Sequence, residues 1–147
     1  MKRFLVNAWL FALIIFVGSC STKKTDTDDV KGAWMYFDDS DMYVEVLISD
    51  KHFITHNEVV GTTVSKILEK NRSTLKISDF DDSPVEYNIQ FNSDDKLVLS
   101  NEREELVLTP IVVSIDIEKF ASEDFEEMDK YDEGFESRKR SKTDTSL

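Results

Sequence analysis

The sequence predicts a mainly β domain: a small antiparallel up-and-down meander barrel of about eight short strands, followed by one C-terminal amphipathic α-helix. Three observations carry this. Short β-rich runs fill the stretch from Ala33 to Ile115, polar turn residues separate them at close intervals, and after Ile115 the apolar period changes from two to that of a helix.

Val85 to Phe91 shows the cleanest alternation, with Val85, Tyr87, Ile89 and Phe91 on one face and Glu86, Asn88 and Gln90 on the other. Met42 to Ser49 alternates too, but Tyr43 and Leu47 lie opposite Met42, Val44, Val46 and Ile48, so that strand is apolar on part of both faces. Further strands are expected over Ala33 to Phe37, His52 to His56, Val59 to Leu68, Thr74 to Ser78, Lys96 to Ser100, and Leu106 to Ile115 with an interruption at Pro110. The punctuation is rich in Asp, Asn, Ser and Pro: Asp38 to Asp41, Ser49 to Lys51, Asn71-Arg72, Asp79 to Pro84, Asn92 to Asp95, and Asn101 to Glu104. Such frequent turns favour hairpins joined in sequence order. Gly61 inside a strand pattern suggests a bulge or a sharp bend.

Ile117, Phe120, Ala121, Phe125, Met128, Tyr131 and Phe135 recur at helical spacing, which predicts one helix from about Asp116 to Tyr131 within an acidic segment 116–136. Asp116 and Glu118 suit the positive end of its dipole. The aromatic stripe is expected to pack on the sheet. Beyond it, residues 137–147, with Arg138, Lys139, Arg140 and Lys142, read as a loose basic tail.

Gly32-Ala33-Trp34 opens the first strand, and with the meander and late helix it resembles the lipocalin and calycin group of small barrels. That resemblance covers about residues 31 to 131 and implies that Gly32 and Trp34 are structural, the indole packing across the barrel base. The arginine that usually meets this Trp from a late strand has no counterpart there, since Arg103 falls in an expected turn. A side-chain-filled core, a shallow open mouth and a ligand cavity all remain open for the 32–115 domain.

The N-terminal segment carries a different resemblance. Met1-Lys2-Arg3 is a basic start, Ala8 to Val17 is an uninterrupted apolar run, and Val17-Gly18-Ser19-Cys20 resembles the lipobox at which bacterial lipoproteins are lipidated and cleaved. The run falls short of the roughly 20 apolar residues that a spanning helix needs. The resemblance implies a signal peptide at 1–19, palmitate-type acylation of Cys20, a solvated tether over 20–31, and, from Ser21, outer-membrane sorting with the membrane face left open. Cys20 is the chain's single cysteine, so an internal disulfide is impossible.

The charge narrows the partners. With 18 Lys and Arg against 30 Asp and Glu, the formal charge is −12, which disfavours nucleic acid and favours a basic protein or a cationic ligand. His52 and His56 have zinc-protease spacing, but Phe53 stands where the glutamate belongs, and on a strand they would lie about 13 Å apart at roughly 3.3 Å per residue. Asp79, Asp81 and Ser83 begin like a calcium loop, yet Pro84 occupies the glycine position. No nucleophile elbow or phosphate-binding glycine loop is present. The sequence therefore predicts a non-enzymatic protein with no cofactor and no metal.

The leading expectation is a lipid-anchored cell-envelope lipoprotein whose lipocalin-like barrel binds an unidentified ligand, a small apolar molecule contacted by Tyr43, Leu47 and Tyr87 among others. The alternative is an inhibitor or immunity-type lipoprotein that neutralises a basic protein through Asp38, Asp39, Asp41, Asp79, Asp81 and Asp82. A third reading is a structural component of an envelope complex that docks through the Phe-rich helix.

Overall fold

The computed structural model describes residues 29–78, 81 and 83–143. Eight strands pair antiparallel in sequence order: β1 (Gly32–Phe37), β2 (Tyr43–Ile48), β3 (His52–Asn57), β4 (Gly61–Lys70), β5 (Thr74–Ser78), β6 (Pro84–Phe91), β7 (Leu97–Ser100) and β8 (Glu105–Ile111). β8 returns to β1 and closes the barrel, as the sequence predicts. Two helices follow, α1 (Ile117–Ala121) and α2 (Phe125–Thr143).

The alternating residues face the barrel interior and fill it. Trp34, Val46, Ile48, Phe53, Leu75, Ile77, Tyr87, Ile89, Leu97, Leu99 and Leu108 form one buried cluster. Phe53 and Tyr87 stack with ring centroids 6.5 Å apart, and Trp34 meets Phe91 at 6.2 Å. The Trp34 indole donates to the Val30 carbonyl at 3.0 Å, so the incoming chain is tied across the base of the barrel. Gly32 has a φ of +139°, a conformation that side-chain-bearing residues rarely adopt, and it permits this tight entry into β1.

A second cluster lies on the outer face of β1, β2 and β3. Met35, Tyr43, Leu47 and Ile54 are buried there against Phe120, Tyr131 and Phe135 of the helices, with Ile117 and Met128 beside them. This explains why β2 is apolar on both faces: Val46 and Ile48 point into the barrel, Leu47 points under α2, and all three are fully buried. Burying each such side chain stabilises the fold by about 1.5–3 kcal/mol.

Of the two roles expected of Gly61 the structure gives the bend: with a φ of +80° it closes the β3–β4 turn, and the bulge-like irregularity in β4 falls between Ile67 and Glu69. Three local expectations are corrected. Pro110 does not interrupt β8, because it lies beyond Leu108, the last partner of β7, and its missing N–H meets no neighbouring strand. The single helix is two, since Glu123 turns left-handed at a φ of 62° and Asp124 caps α2 through the Glu127 N–H at 3.2 Å. The segment read as a loose tail is helical to Thr143.

Candidate functional site

A sequential meander places alternate turns at alternate ends. The β1–β2, β3–β4, β5–β6 and β7–β8 turns share one end of the barrel, and the β2–β3, β4–β5 and β6–β7 turns share the other. Residues 29–31 enter at the second end. There Lys31 lies 3.1 Å from Asp29 and 3.4 Å from Asp50, and Lys70 reaches Asp50 at 3.2 Å and Asp29 at 3.8 Å. Charges of both signs alternate at this entry end.

The far end is acidic. Asp38, Asp39 and Asp41 occupy the β1–β2 turn, Glu58 the β3–β4 turn, Asp81 the β5–β6 turn, and Glu102 and Glu104 the β7–β8 turn beside Arg103. The turn chemistry that builds this end also consumes part of its acceptor capacity. One Asp38 oxygen accepts the N–H groups of Ser40 (2.8 Å) and Met42 (2.9 Å), and Asp81 accepts Ser83 N–H at 3.0 Å. Hydrogen bonds from Ser83, first through its side chain, hold the Asp81 carboxyl below its ordinary pKa. Asp39 and Asp41 are exposed, and Asp41 adopts a left-handed φ of 58°. The acidic turns expected to gather at one end do so for Asp38, Asp39, Asp41 and Asp81, whereas Asp79 and Asp82 lie outside the described residues. Cys20 also lies outside them.

The expected ligand contacts are placed differently. Tyr43 and Leu47 lie beneath α2 and are 4% and 0% exposed, so neither faces a barrel mouth. Tyr87 points inward, its ring on Phe53 and its hydroxyl donating to Glu104 at 2.6 Å. The reason for the first displacement is the helix itself, whose apolar stripe requires the outer face that Tyr43 and Leu47 supply.

Beside the acidic end, the structure assembles a polar cluster that sequence reasoning missed. Glu45 projects from the outer face of β2 and is completely buried. Four hydrogen bonds reach its carboxylate: from the Tyr43 hydroxyl (2.8 Å), the Tyr131 hydroxyl (2.7 Å), Arg138 Nε (2.7 Å) and Arg138 Nη2 (2.9 Å). The guanidinium also sits 5.2 Å from the Tyr131 ring centroid. Burial, and then the neighbouring carboxylate, raise both phenol pKa values, so Tyr43 and Tyr131 remain donors at neutral pH. A charge in an apolar strand needs such a set of partners, and Glu45 within Val44-Glu45-Val46-Leu47 is the sequence signal that one exists.

The two histidines flank this cluster on β3. His52 Nδ1 lies 2.8 Å from Glu118 of α1, while His56 Nδ1 lies 2.8 Å from Thr62 and its ring meets Phe135 and Tyr131 edge-on at 4.5 and 5.0 Å. Burial lowers the His56 pKa. Both rings are half-buried against the helices, each engaged with a different partner. No group of three His, Cys, Asp or Glu side chains among the described residues is arranged to hold a metal ion.

The phenols, the paired guanidinium and Glu45 join α2 to the barrel, and at the far end Lys139 of α2 pairs with Glu58 while the acids of the β1–β2 and β7–β8 turns face only Arg103 among the described cations. Compared with known proteins, the chain matches no family model, no curated protein and no solved structure.

Proposed function

We propose that this chain is a non-enzymatic, lipid-anchored cell-envelope protein, held by Cys20 at the outer membrane, whose barrel end remote from the anchor binds a basic partner protein. One observation carries the reading: residues 29–31 meet the barrel at its charge-balanced end, through Lys31 and Asp50, while Asp38, Asp39, Asp41, Asp81 and Glu102 lie at the opposite end. A tether arriving from Cys20 on that side leaves the acidic turns directed away from the bilayer. Carboxylates concentrated on one surface raise the local density of cationic partners and speed their association, which fits an inhibitor or immunity-type role. The interior side chains pack on one another, so the reading rests on the rim rather than on a ligand inside the barrel.

Two measurements test it. Cys20→Ser should abolish incorporation of labelled palmitate and release the protein from the membrane fraction; retained label would remove the anchor from the proposal. Capture of partners from envelope extract should weaken steeply between low and high salt, and Asp39→Lys with Glu102→Lys, both exposed turn residues, should abolish it. Capture that is indifferent to both salt and charge reversal would defeat the acidic end as the binding face.

A further inference from the structure

The barrel is only partly zipped where β1 meets β8. Among the described residues the two strands pair at Ala33 with Ile111, Trp34 with Pro110, and Met35 with Thr109. Both strands continue past that point, β1 to Phe37 and β8 back to Glu105, and each keeps its other neighbour, β2 and β7. The result is a wedge at the acidic end, about 500 Å³ in volume, walled by Tyr36, Phe37 and Asp39 on one side and by Glu104, Glu105 and Val107 on the other.

Ladder geometry shows which main-chain groups face this wedge. The Asp38 N–H donates to the Met42 carbonyl at 3.0 Å, so Asp38 and Tyr36 direct their peptide groups toward β2 and the intervening Phe37 directs its own toward β8. Likewise the Asn101 N–H donates to the Glu104 carbonyl at 3.0 Å, which turns Glu104 and Leu106 toward β7 and leaves Glu105 and Val107 facing β1. Phe37 therefore confronts Val107 across a gap with no ladder pair between them. Their side chains flank the opening from outside, 38% and 42% exposed.

We infer that this β1–β8 seam is a docking site for an extended basic segment of another protein, which adds as a short strand to the free edges of Phe37, Glu105 and Val107 and places its apolar side chains on Phe37 and Val107. An open strand edge is a template for pairing, and main-chain bonds with alternate side-chain pockets are how sheets capture extended peptides. Charge selects the occupant. The wedge is lined by the carboxylates of Asp38, Asp39, Glu104 and Glu105 against the single guanidinium of Arg103. A second copy of this chain, at −12, is repelled by the same groups. The unpaired stretch accommodates roughly three or four residues at about 3.3 Å each, so the ligand is a short stretch of alternating basic and apolar residues. This inference rests on the proposed basic partner and specifies where and how it binds.

The test uses the full chain in detergent micelles and an end-capped eight-residue peptide alternating lysine and valine, with a second version N-methylated at alternate amides. Amide exchange read by NMR should be fast at Phe37, Glu105 and Val107 in the free protein, unlike Met35 and Thr109, and at least about tenfold slower with the peptide bound. N-methylation should weaken binding about tenfold or more, and Val107→Lys should abolish it while leaving the thermal midpoint unchanged. Protection of those three amides without peptide, equal affinity for the N-methylated version, or absence of binding would each overturn the seam. Binding that perturbs only the Glu58 or Asp81 turns would overturn the seam and keep the acidic-end reading. Loss of salt-sensitive capture from extract is the separate failure that removes the basic partner itself.

Discussion

Arg138, in the last turns of α2, grips the buried carboxylate of Glu45 on β2 through two hydrogen bonds of 2.7 and 2.9 Å, across 93 residues of sequence. Glu45 has no exposure and the Arg138 side chain retains 18%, so little solvent screens the pair. Removing one partner of such a pair costs about 3–5 kcal/mol, because the other charge stays buried without its counter-ion. Arg138→Ala should lose about that much stability in urea denaturation, and Arg138→Lys, which keeps the charge but not the fork, should fall between it and the parent. A loss under 0.5 kcal/mol for Arg138→Ala would mean that the clasp contributes nothing.

Gly134 lies one turn before Arg138, inside α2, where alanine is ordinarily favoured by about 1 kcal/mol. Here a β-carbon would overlap the Arg138 guanidinium as it folds back toward Glu45. Gly134→Ala should therefore destabilise the protein despite its helix propensity, and the same exchange in an Arg138→Ala background should stabilise it. The sign change between the two backgrounds, read by urea unfolding, identifies the glycine as the space through which Arg138 reaches β2.

The same cluster makes the fold sensitive to alkali. Tyr43 and Tyr131 have folded pKa values raised above the ordinary phenol value of about 10, chiefly by burial and secondarily by Glu45. A raised folded pKa contributes stability that is fully present below the unfolded value and is lost as pH climbs from there through the folded value. The urea midpoint should stay level to about pH 9 and fall above about pH 10, as tyrosinate absorbance appears. Tyr131→Phe should start lower at pH 8 and show a shallower alkaline slope; parallel slopes would place the pH dependence elsewhere.

Periodicity made most of this architecture legible. Val85 to Phe91 read as a half-buried strand, and β2 read as apolar on part of both faces, although Tyr43 and Leu47 on its second face were expected at a ligand and lie instead under the helices. What escaped was information that is not periodic. Asp124 with Glu127 three residues on is a helix-start signature that splits the expected single helix, and it sat unnoticed inside an acidic run. Arg138 continues the stripe of Tyr131 and Phe135 by three residues, yet a charged residue in a basic segment carries no hydropathy signal. Its partner Glu45 lies far away in sequence, so only the barrel brings the two together. For the candidate binding end, turn composition located the acids, while the partly unpaired seam depends on register and was beyond reach of the sequence.

The aromatic face of the helices is committed to the barrel, and truncation measures that commitment. Phe120, Tyr131 and Phe135 are at most 5% exposed and cover Met35, Tyr43, Leu47 and Ile54, whereas Phe125 alone among the helix phenylalanines stands 83% exposed. A chain ending at Ile115 exposes that outer face together with the Glu45 charge, which then has neither Arg138 nor Tyr131. It should be recovered as aggregate, or as a molten form that binds hydrophobic dye and lacks near-ultraviolet dichroism. Replacing Phe125 with Ser in the full chain should change stability by less than about 0.5 kcal/mol. If the truncated barrel is instead soluble and cooperative and the missing segment captures an envelope protein, the helices are a docking element and the third reading of the sequence replaces the acidic end.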